Sequence, residues 1–307
     1  MKAITFSRYG GSEVLTVSDV PLPVAGPAEV LVRIRAAGVN PVDIEVRQGA
    51  LDAVTPAEFP AVPGWDFAGV VEAVGPQVSD LLPGDEVWGF ARRDVVRQGT
   101  YAGFAAVQVQ SLGRLPVSVD APTAGALPLA GLTALQGLRA ARVGSGEIVL
   151  VNAAAGGVGH VAVQIARALG ARRVIGTASE ENRDFVRGLG AEAVDHGGSL
   201  EQVVRTLAPA GVDAVLDLHG GPALDAGFAL AADPSRVVST VERRAVQQGG
   251  KHIATAPSRA DLDQLARWVD DGAVHVQLAM VFPLAQAARA QDTVAGGHVR
   301  GKVVLQV

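Results

Sequence analysis

The sequence predicts an α/β protein that pairs a β-rich domain with a doubly wound parallel sheet. Three observations predict it. From about Thr123 onward, apolar strands alternate with helices, the pattern of a parallel sheet covered on both faces. The first hundred or so residues instead carry short β patterns broken by Gly and Pro. Between these textures, an apolar strand runs into a glycine-rich turn that opens an apolar helix.

The elements follow in order. Lys2–Phe6, Glu29–Ala36, Val70–Val74 and Glu86–Phe90 read as strands, with turn signals at Pro63-Gly64 and Pro83-Gly84. Ala124–Gly137 has helical spacing. Glu147–Ala153 is the first strand of the parallel sheet, and Gly159–Leu169 its helix. Arg173–Thr177, Ala191–Asp195, Val212–Leu218 and Arg236–Val241 are the next strands, with helices at Glu180–Leu189 and Leu200–Leu207. From roughly Leu262 the pattern is helix and then a closing strand, Lys302–Gln306, expected to return to the first domain. No period of 20–50 residues repeats.

Composition narrows the function classes. With 307 residues, 49% apolar and 19% charged, the chain is long enough for two domains with separate cores. Aromatics are 4%, so those cores must be built from Ala, Val and Leu. Net charge is −5 and no basic stripe is visible, which argues against a nucleic-acid partner. The chain has no cysteine, which excludes disulfides, thiolate nucleophiles and Cys-ligated zinc, and fits a cytoplasmic location. MKAITFSRYGG lacks the apolar region of a signal peptide. The most apolar stretch, Ile148 to Ala171, is interrupted by Asn152, His160, Gln164 and Arg167, so no membrane span is expected.

The segment VLVNAAAGGVG, ending at Gly159, has the strand–turn–helix context of a Rossmann dinucleotide fingerprint, with Ala154 in place of the usual first glycine. Gly156 would let the backbone approach a pyrophosphate, and Gly159 would let helix and strand pack closely. Gly156, Gly157 and Val158 lead into the helix N-terminus, whose unpaired N–H groups suit phosphates. A glycine-rich turn required only for packing is the plainer alternative. At the end of the second strand, Ala178 stands where an NAD-selective fold places an acid for the ribose 2′-hydroxyl. Ser179 and Arg183 could hold a 2′-phosphate instead, so NADPH is the expected cofactor. Glu180 and Glu181 weigh against this, and Arg183 could be a solvated helix residue.

With these motifs in place, the chain resembles the medium-chain dehydrogenase/reductase superfamily, specifically its zinc-independent quinone oxidoreductase branch. The stretches that carry the resemblance are YGGSEVL, AGVNPVDIEVRQG, FPAVPGWDFAGVVEAVG, PGDEVWGF, LAGLTALQGL, NAAAGGVGHVAVQIARALGA and GHVRGKVVLQV, in order along nearly the whole chain. The resemblance implies a GroES-like catalytic domain, residues 1–122 and 262–307, around a Rossmann NADP-binding domain, residues 123–261. It also implies a homodimer joined at Rossmann sheet edges, with the strand near His252–Thr255 as the expected edge. Zinc members of the superfamily hold their catalytic metal at three places that look like Asn40, Trp65 and Leu129 here, none of which is a thiolate or an imidazole.

Site residues come over one by one. Asn40 looks like the Asn of the VNPVD motif beside the nicotinamide, donating to a carbonyl or to the nicotinamide ribose; it could also be a turn residue before Pro41. Thr133 looks like a helix threonine reaching the nicotinamide side, or a core threonine. Lys302 resembles a basic residue that reaches the pyrophosphate, or is a surface strand lysine. His196 follows the third strand and could stack on adenine, touch the 2′-phosphate, or be a loop residue. Thr240 and Val241 end the fifth strand, where backbone groups would meet the carboxamide. Trp65 and Phe67 are expected to wall the substrate pocket, although Trp65 could be plain core. Two tyrosines that some quinone reductases carry after the Asn are replaced by Glu45 and Leu51. The implied activity is zinc-free, NADPH-dependent hydride transfer to a quinone or α,β-unsaturated carbonyl. An enoyl-thioester reductase and a non-catalytic NADPH-binding protein are the rivals.

Overall fold

A computed structural model describes residues 1–307 apart from His196, Gly198 and Ser199. The chain divides into two compact units: Met1–Leu129 with Ala256–Asp270 and Val276–Val307, and Ala130–Thr255 with Asp271–His275. The divides expected from sequence lay at 122/123 and 261/262.

The first unit is built on a seven-stranded sheet whose organising member is the long strand Glu29–Val39. In its first half, Val30, Val32 and Ile34 are buried while Arg33 and Arg35 point to water, the period-2 pattern of a half-buried strand. These two valines and the isoleucine pack with Phe67, Val71, Leu81, Val87 and Leu112. The strand's other face is covered in its second half, where Ala37 and Val39 join a cluster with Tyr101, Val303 and Leu305. Asp66–Val74 pairs along one side of it, antiparallel. On the other side, Phe104–Gln108 pairs with its first half and the C-terminal strand Lys302–Gln306 with its second. The tail therefore does return to the first unit, and the pairing of Val303 with Val39 sets Lys302 against Asn40. Leu278–Pro283 extends this edge in parallel with the C-terminal strand. That strand, the strand Phe104–Gln108 and the helices Pro41–Gln48 and Ala287–Ala295 add to the elements expected from sequence. The helical stretch Ala124–Gly137 is two helices, Ala121–Ala126 and Pro128–Ala140, since Pro128 cannot continue the first.

The second unit is a six-stranded, all-parallel sheet. Its order is Glu192–Val194, Arg173–Thr177, Ile148–Val151, Ala214–Asp217, Val237–Ser239 and Lys251–His252. This is the doubly wound order 3-2-1-4-5-6, in which the strand direction of growth reverses beside the first strand. Leu150, Ile175, Val204, Val215, Leu224 and Val237 are among the residues of one shared core. Residues Asp271–His275 are held to this unit by Gln164, whose side chain accepts from the His275 N–H and donates to its carbonyl, both at 2.9 Å. The helix read over Glu180–Leu189 begins as a 3₁₀ turn, Glu180–Asn182, and continues as Arg183–Gly188.

Candidate active site

In the first unit, the chemistry gathers where the VNPVD motif leaves the long strand. Asn40 ends that strand in an extended conformation and caps the helix Pro41–Gln48, with Pro41 at the first helical position, where a missing N–H costs nothing. Asp43, three residues on, accepts the Asn40 backbone N–H at 2.9 Å. The Asn40 side chain is itself held at both ends. Its Nδ2 donates to Asp66 Oδ2 at 2.8 Å, and its Oδ1 accepts from the Lys302 ammonium, which also lies 3.4 Å from the Val39 carbonyl. The other oxygen of Asp66 accepts the Leu129 N–H at 2.7 Å, at the start of the helix Pro128–Ala140, where a carboxylate complements the helix dipole. Tyr101 donates its hydroxyl to Asp43 at 2.9 Å. Gly38 makes room for this arrangement. A β-carbon there would come within 2.9 Å of Asp66 Oδ2 and 2.7 Å of the Gly125 carbonyl oxygen.

Asn40, Asp43, Asp66, Tyr101 and Lys302 are all buried, none more than 5% exposed. Burial pushes the Asp43 carboxyl up to about 7, with the neighbouring Asp66 charge adding to the effect. It pushes Asp66 up to about 6, against the pull of Lys302 and of the Asn40 and Leu129 donors. It lowers Lys302, which the two carboxylates oppose, and it raises Tyr101 well above the usual phenol range. One ammonium and two carboxyls thus share a dry site, where each depends on its partners to be charged at all.

Several expectations are corrected here. Lys302 is not a surface lysine: its ammonium is buried inside the first unit, against the Asn40 amide oxygen and the Val39 carbonyl. Phe67 is not a pocket wall. Alternation along Asp66–Val74 turns it away from Asp66 into the sheet's own core, fully buried against Val30, Val32 and Val87. Trp65 is 5% exposed and packs edge-on to Phe90, with ring centres 5.9 Å apart. Asp43, Asp66 and Tyr101 were not among the expected site residues. A lone acid inside the apolar run FPAVPGWDFAGVV was the available signal for Asp66, because a charge amid buried strand positions must find partners.

The second unit carries a site made of backbone. After Val151 the chain turns through Ala153 at φ 54°. The N–H groups of Ala153 and Ala154 donate to the Thr177 hydroxyl at 2.9 Å and carbonyl at 2.8 Å, which ties the turn to the second strand. The helix begins at Gly159, and a β-carbon there would overlap the Ala153 carbonyl oxygen. Gly176 answers the Ala154 substitution: a β-carbon at Gly176 would lie 2.8 Å from the Ala154 methyl, so the methyl occupies space that a second side chain would need. A β-carbon at Gly156 meets only the Ala153 carbonyl oxygen, at 3.4 Å. Gly156, Gly157 and Val158 therefore lie in the bend that leads into the helix N-terminus, as the fingerprint requires.

At the end of the second strand, Ala178 is buried and donates its N–H to the Val194 carbonyl. Ser179 starts the following turn and accepts from Asn182 Nδ2 at 3.0 Å. Arg183 pairs through one terminal nitrogen with Asp195 at 2.8 Å, while its Nε is buried without a hydrogen-bond partner among the described residues. Thr133 shares a hydrogen bond of 2.7 Å with Thr255. The fifth strand stops at Ser239, not Val241. The N–H groups of Thr240 and Val241 are already engaged, by the Asp217 carbonyl and the Ser239 hydroxyl, so as donors to a carboxamide they are not free. His196 lies outside the described residues. Among the described residues, no three His, Asp or Glu side chains group as metal ligands would. Nor is any helix among them long and apolar enough to cross a membrane.

The comparisons with known proteins meet this geometry. Residues 26–117 match the alcohol dehydrogenase GroES-like domain, and residues 189–305 match the domain described as zinc-binding dehydrogenase. A chloroplastic NADPH-dependent alkenal/one oxidoreductase of Arabidopsis thaliana is 34% identical over 99% of this chain and 79% of its own length. The quinone oxidoreductase of Sus scrofa is 32% identical over 99% of this chain and 97% of its own. The chain belongs to the medium-chain dehydrogenase/reductase family, quinone oxidoreductase type. Its fold agrees with that family in three dimensions. The Escherichia coli quinone oxidoreductase, solved in complex with NADPH, aligns over all of both chains with a TM-score of 0.86 and 25% identity. A medium-chain dehydrogenase/reductase of this type is an oxidoreductase with a nicotinamide cofactor. The description "zinc-binding" does not carry over to Cys ligation, because this chain has no cysteine.

Proposed function

We propose that this protein is a zinc-independent, NADPH-dependent reductase that transfers hydride to a quinone or an α,β-unsaturated carbonyl. The reading rests above all on similarity along 99% of this chain to a quinone oxidoreductase and to an alkenal/one oxidoreductase, in a chain without cysteine whose Asn40 amide is held in a buried polar cluster. The residues present suit the cofactor. Gly156, Gly157 and Val158 leave the turn open to a pyrophosphate, and the helix from Gly159 brings its first N–H groups to it. Ala178 puts no carboxylate against a 2′-phosphate, and the partly exposed Arg183 guanidinium can supply charge, with Ser179 nearby in the preceding turn. Thr133, Thr240 and Val241 belong to the nicotinamide side in this reading, the last two through their carbonyls.

When bound, NADPH supplies the hydride. The chain's own task is to stabilise the negative charge that develops on the acceptor's oxygen. Asn40 is the donor assigned to it, since an amide nitrogen carries two hydrogens and Asp66 takes one. Tyr101 is committed to Asp43, so the proton that completes reduction comes from solvent. A homodimer is part of the proposal, with Lys251–His252 as the open edge of the parallel sheet; light scattering that reports a monomer at micromolar concentration would remove it. The activity is tested by turnover of NADPH and NADH with a quinone, an enone and an enoyl thioester. Quinone or enone turnover with NADPH is expected. Turnover of the thioester alone would move the substrate class, and no turnover of any would leave a nicotinamide-binding protein without this chemistry.

A further inference from the structure

The buried cluster of the first unit holds a lysine that the cofactor reading leaves without a task. Lys302 lies in the C-terminal strand, 262 residues from Asn40, and the antiparallel register of Val303 with Val39 delivers it there. An ammonium has only donors and a carboxylate only acceptors. The amide of Asn40 lies between one of each, so its orientation is fixed. Turned over, it would set its NH₂ against the Lys302 ammonium and its oxygen against Asp66, repulsive on both sides. Cation and carboxylate also act on the amide's electrons. A positive charge at Oδ1 draws density away from nitrogen and sharpens both N–H groups as donors, more so in a dry, low-dielectric site. Asp66 spends one of these hydrogens, anchored in turn by the Leu129 N–H at 2.7 Å. Asp43, which accepts the Asn40 backbone N–H and the Tyr101 hydroxyl, joins Asp66 in favouring the ammonium once its own carboxyl, pushed up to about 7 by burial, is ionised.

We propose that Lys302 and Asp66 are positioning residues: they fix the Asn40 amide in one orientation and polarise it, so that its remaining N–H is a strong donor to the acceptor's oxygen. This rests on the reading of Asn40 as that donor. It assigns Lys302 to the reaction through Asn40, not to the cofactor's phosphates.

The test is a double-mutant cycle in the full chain, with kcat, KM and NADPH affinity read separately. Lys302→Met is expected to lower kcat roughly 10–100-fold, less than the roughly 100–1000-fold for outright loss of an oxyanion donor, with NADPH affinity changed no more than about twofold. In an Asn40→Ala background the same substitution is expected to do nothing further to kcat, because the group it acts through is gone. If Asn40→Ala alone leaves kcat unchanged, the donor reading of Asn40 fails. If Asn40→Ala lowers kcat and Lys302→Met does not, or if the two losses multiply, the positioning role fails while the donor reading stands. Loss of NADPH affinity with kcat intact at saturation would return Lys302 to the pyrophosphate. Should Lys302→Met not fold, the neutral pair Lys302→Met/Asp66→Asn removes both charges and keeps an oxygen opposite Asn40 Nδ2, and the same kcat loss is expected. Failure of both to fold would overturn the proposal, since a purely structural role would then suffice.

Discussion

The two units solve the problem of a polar site in opposite ways. The first buries its chemistry in side chains: two carboxyls, a phenol, an amide and an ammonium, each satisfied by the others. The second builds with backbone. Its turn depends on missing side chains at Gly159 and Gly176, and its donors are N–H groups that any residue would carry. The difference teaches where substitution is dangerous. In a side-chain site, identity matters because removing one partner strands another in a dry environment. In a backbone site, volume matters and charge hardly at all. A polar change in the turn and a volume change in the cluster are the wrong tools for each, and the right ones separate the two units cleanly.

The largest effect is expected from volume in the second unit. Gly159→Val places a branched side chain where even one carbon overlaps the Ala153 carbonyl oxygen, so helix and turn must part. Overpacking of this kind costs typically about 1–3 kcal/mol of stability. It also moves the helix N-terminus from the place proposed for the phosphates. Titration calorimetry is expected to find no measurable NADPH binding in a protein that still folds. Retained binding at near wild-type affinity would mean that the turn is not the phosphate site.

Next comes identity in the first unit. Asn40→Ala is expected to lower turnover by roughly 10–1000-fold, its upper part being the roughly 100–1000-fold typical of losing an oxyanion donor, and to change NADPH affinity far less. Because the substitution also leaves Asp66 Oδ2 and the Lys302 ammonium without their shared partner, the melting temperature is expected to fall as well. Loss of NADPH binding with turnover intact at saturation would make Asn40 a cofactor-positioning residue only.

A smaller effect separates charge from volume at the cofactor's other end. Arg183→Ala is expected to weaken NADPH by roughly 10-fold, the lower end for a charged hydrogen bond, and to leave NADH nearly untouched. The lower end applies because Arg183 already pairs with Asp195, and a phosphate must share it. Ala178→Asp should weaken NADPH by repulsion more than it strengthens NADH, since repulsion needs no ideal geometry. Equal weakening of both cofactors by Arg183→Ala would leave Arg183 as a residue that only pairs with Asp195.

The same contrast explains what the sequence made legible. The glycine-rich turn was readable in advance, because strand periodicity and glycine spacing are local and VLVNAAAGGVG contains its strand, its bend and the start of its helix. Asn40 stood out as part of a motif, but its partners did not. Asp66 and Lys302 reach it across 26 and 262 residues, through a strand pairing that no local pattern encodes. Phe67 was misplaced for a related reason. Trp65, Asp66 and Phe67 are neighbours in sequence, yet strand alternation sends Asp66 and Phe67 to opposite faces, and only the sheet decides which face is core. The resemblance offered Lys302 to a phosphate, and the alternative was a surface lysine, because a lysine is seldom fully buried unless it is paired. The strand Leu278–Pro283 escaped because its apolar run is short and its edge position leaves Met280 and Val281 exposed.

The smallest expected effect tests the buried charges by proton linkage. Asp43 titrates at about 7 in the folded protein, raised from an ordinary carboxyl value of 3.8, chiefly by burial. Between these values the folded state binds a proton that the unfolded chain has already released, so folding is favoured at the acid end. The contribution is fully present below about pH 4 and is lost as pH rises through about 7. Surface carboxylates held low by arginines, such as Glu147 beside Arg236 and Glu192 beside Arg173, push the other way, so the wild-type curve alone does not isolate Asp43. The variant does. Asp43→Asn keeps an oxygen for the Asn40 N–H and the Tyr101 hydroxyl and has no proton to lose. Its melting temperature relative to wild type is therefore expected to rise steadily between pH 5 and pH 8. The gain should level off above that, where Asp43 is ionised in both states. A difference that stays flat over this range would mean that Asp43 is already charged at pH 5, held so by Lys302, and that the cluster carries a permanent ion pair in place of a shared proton.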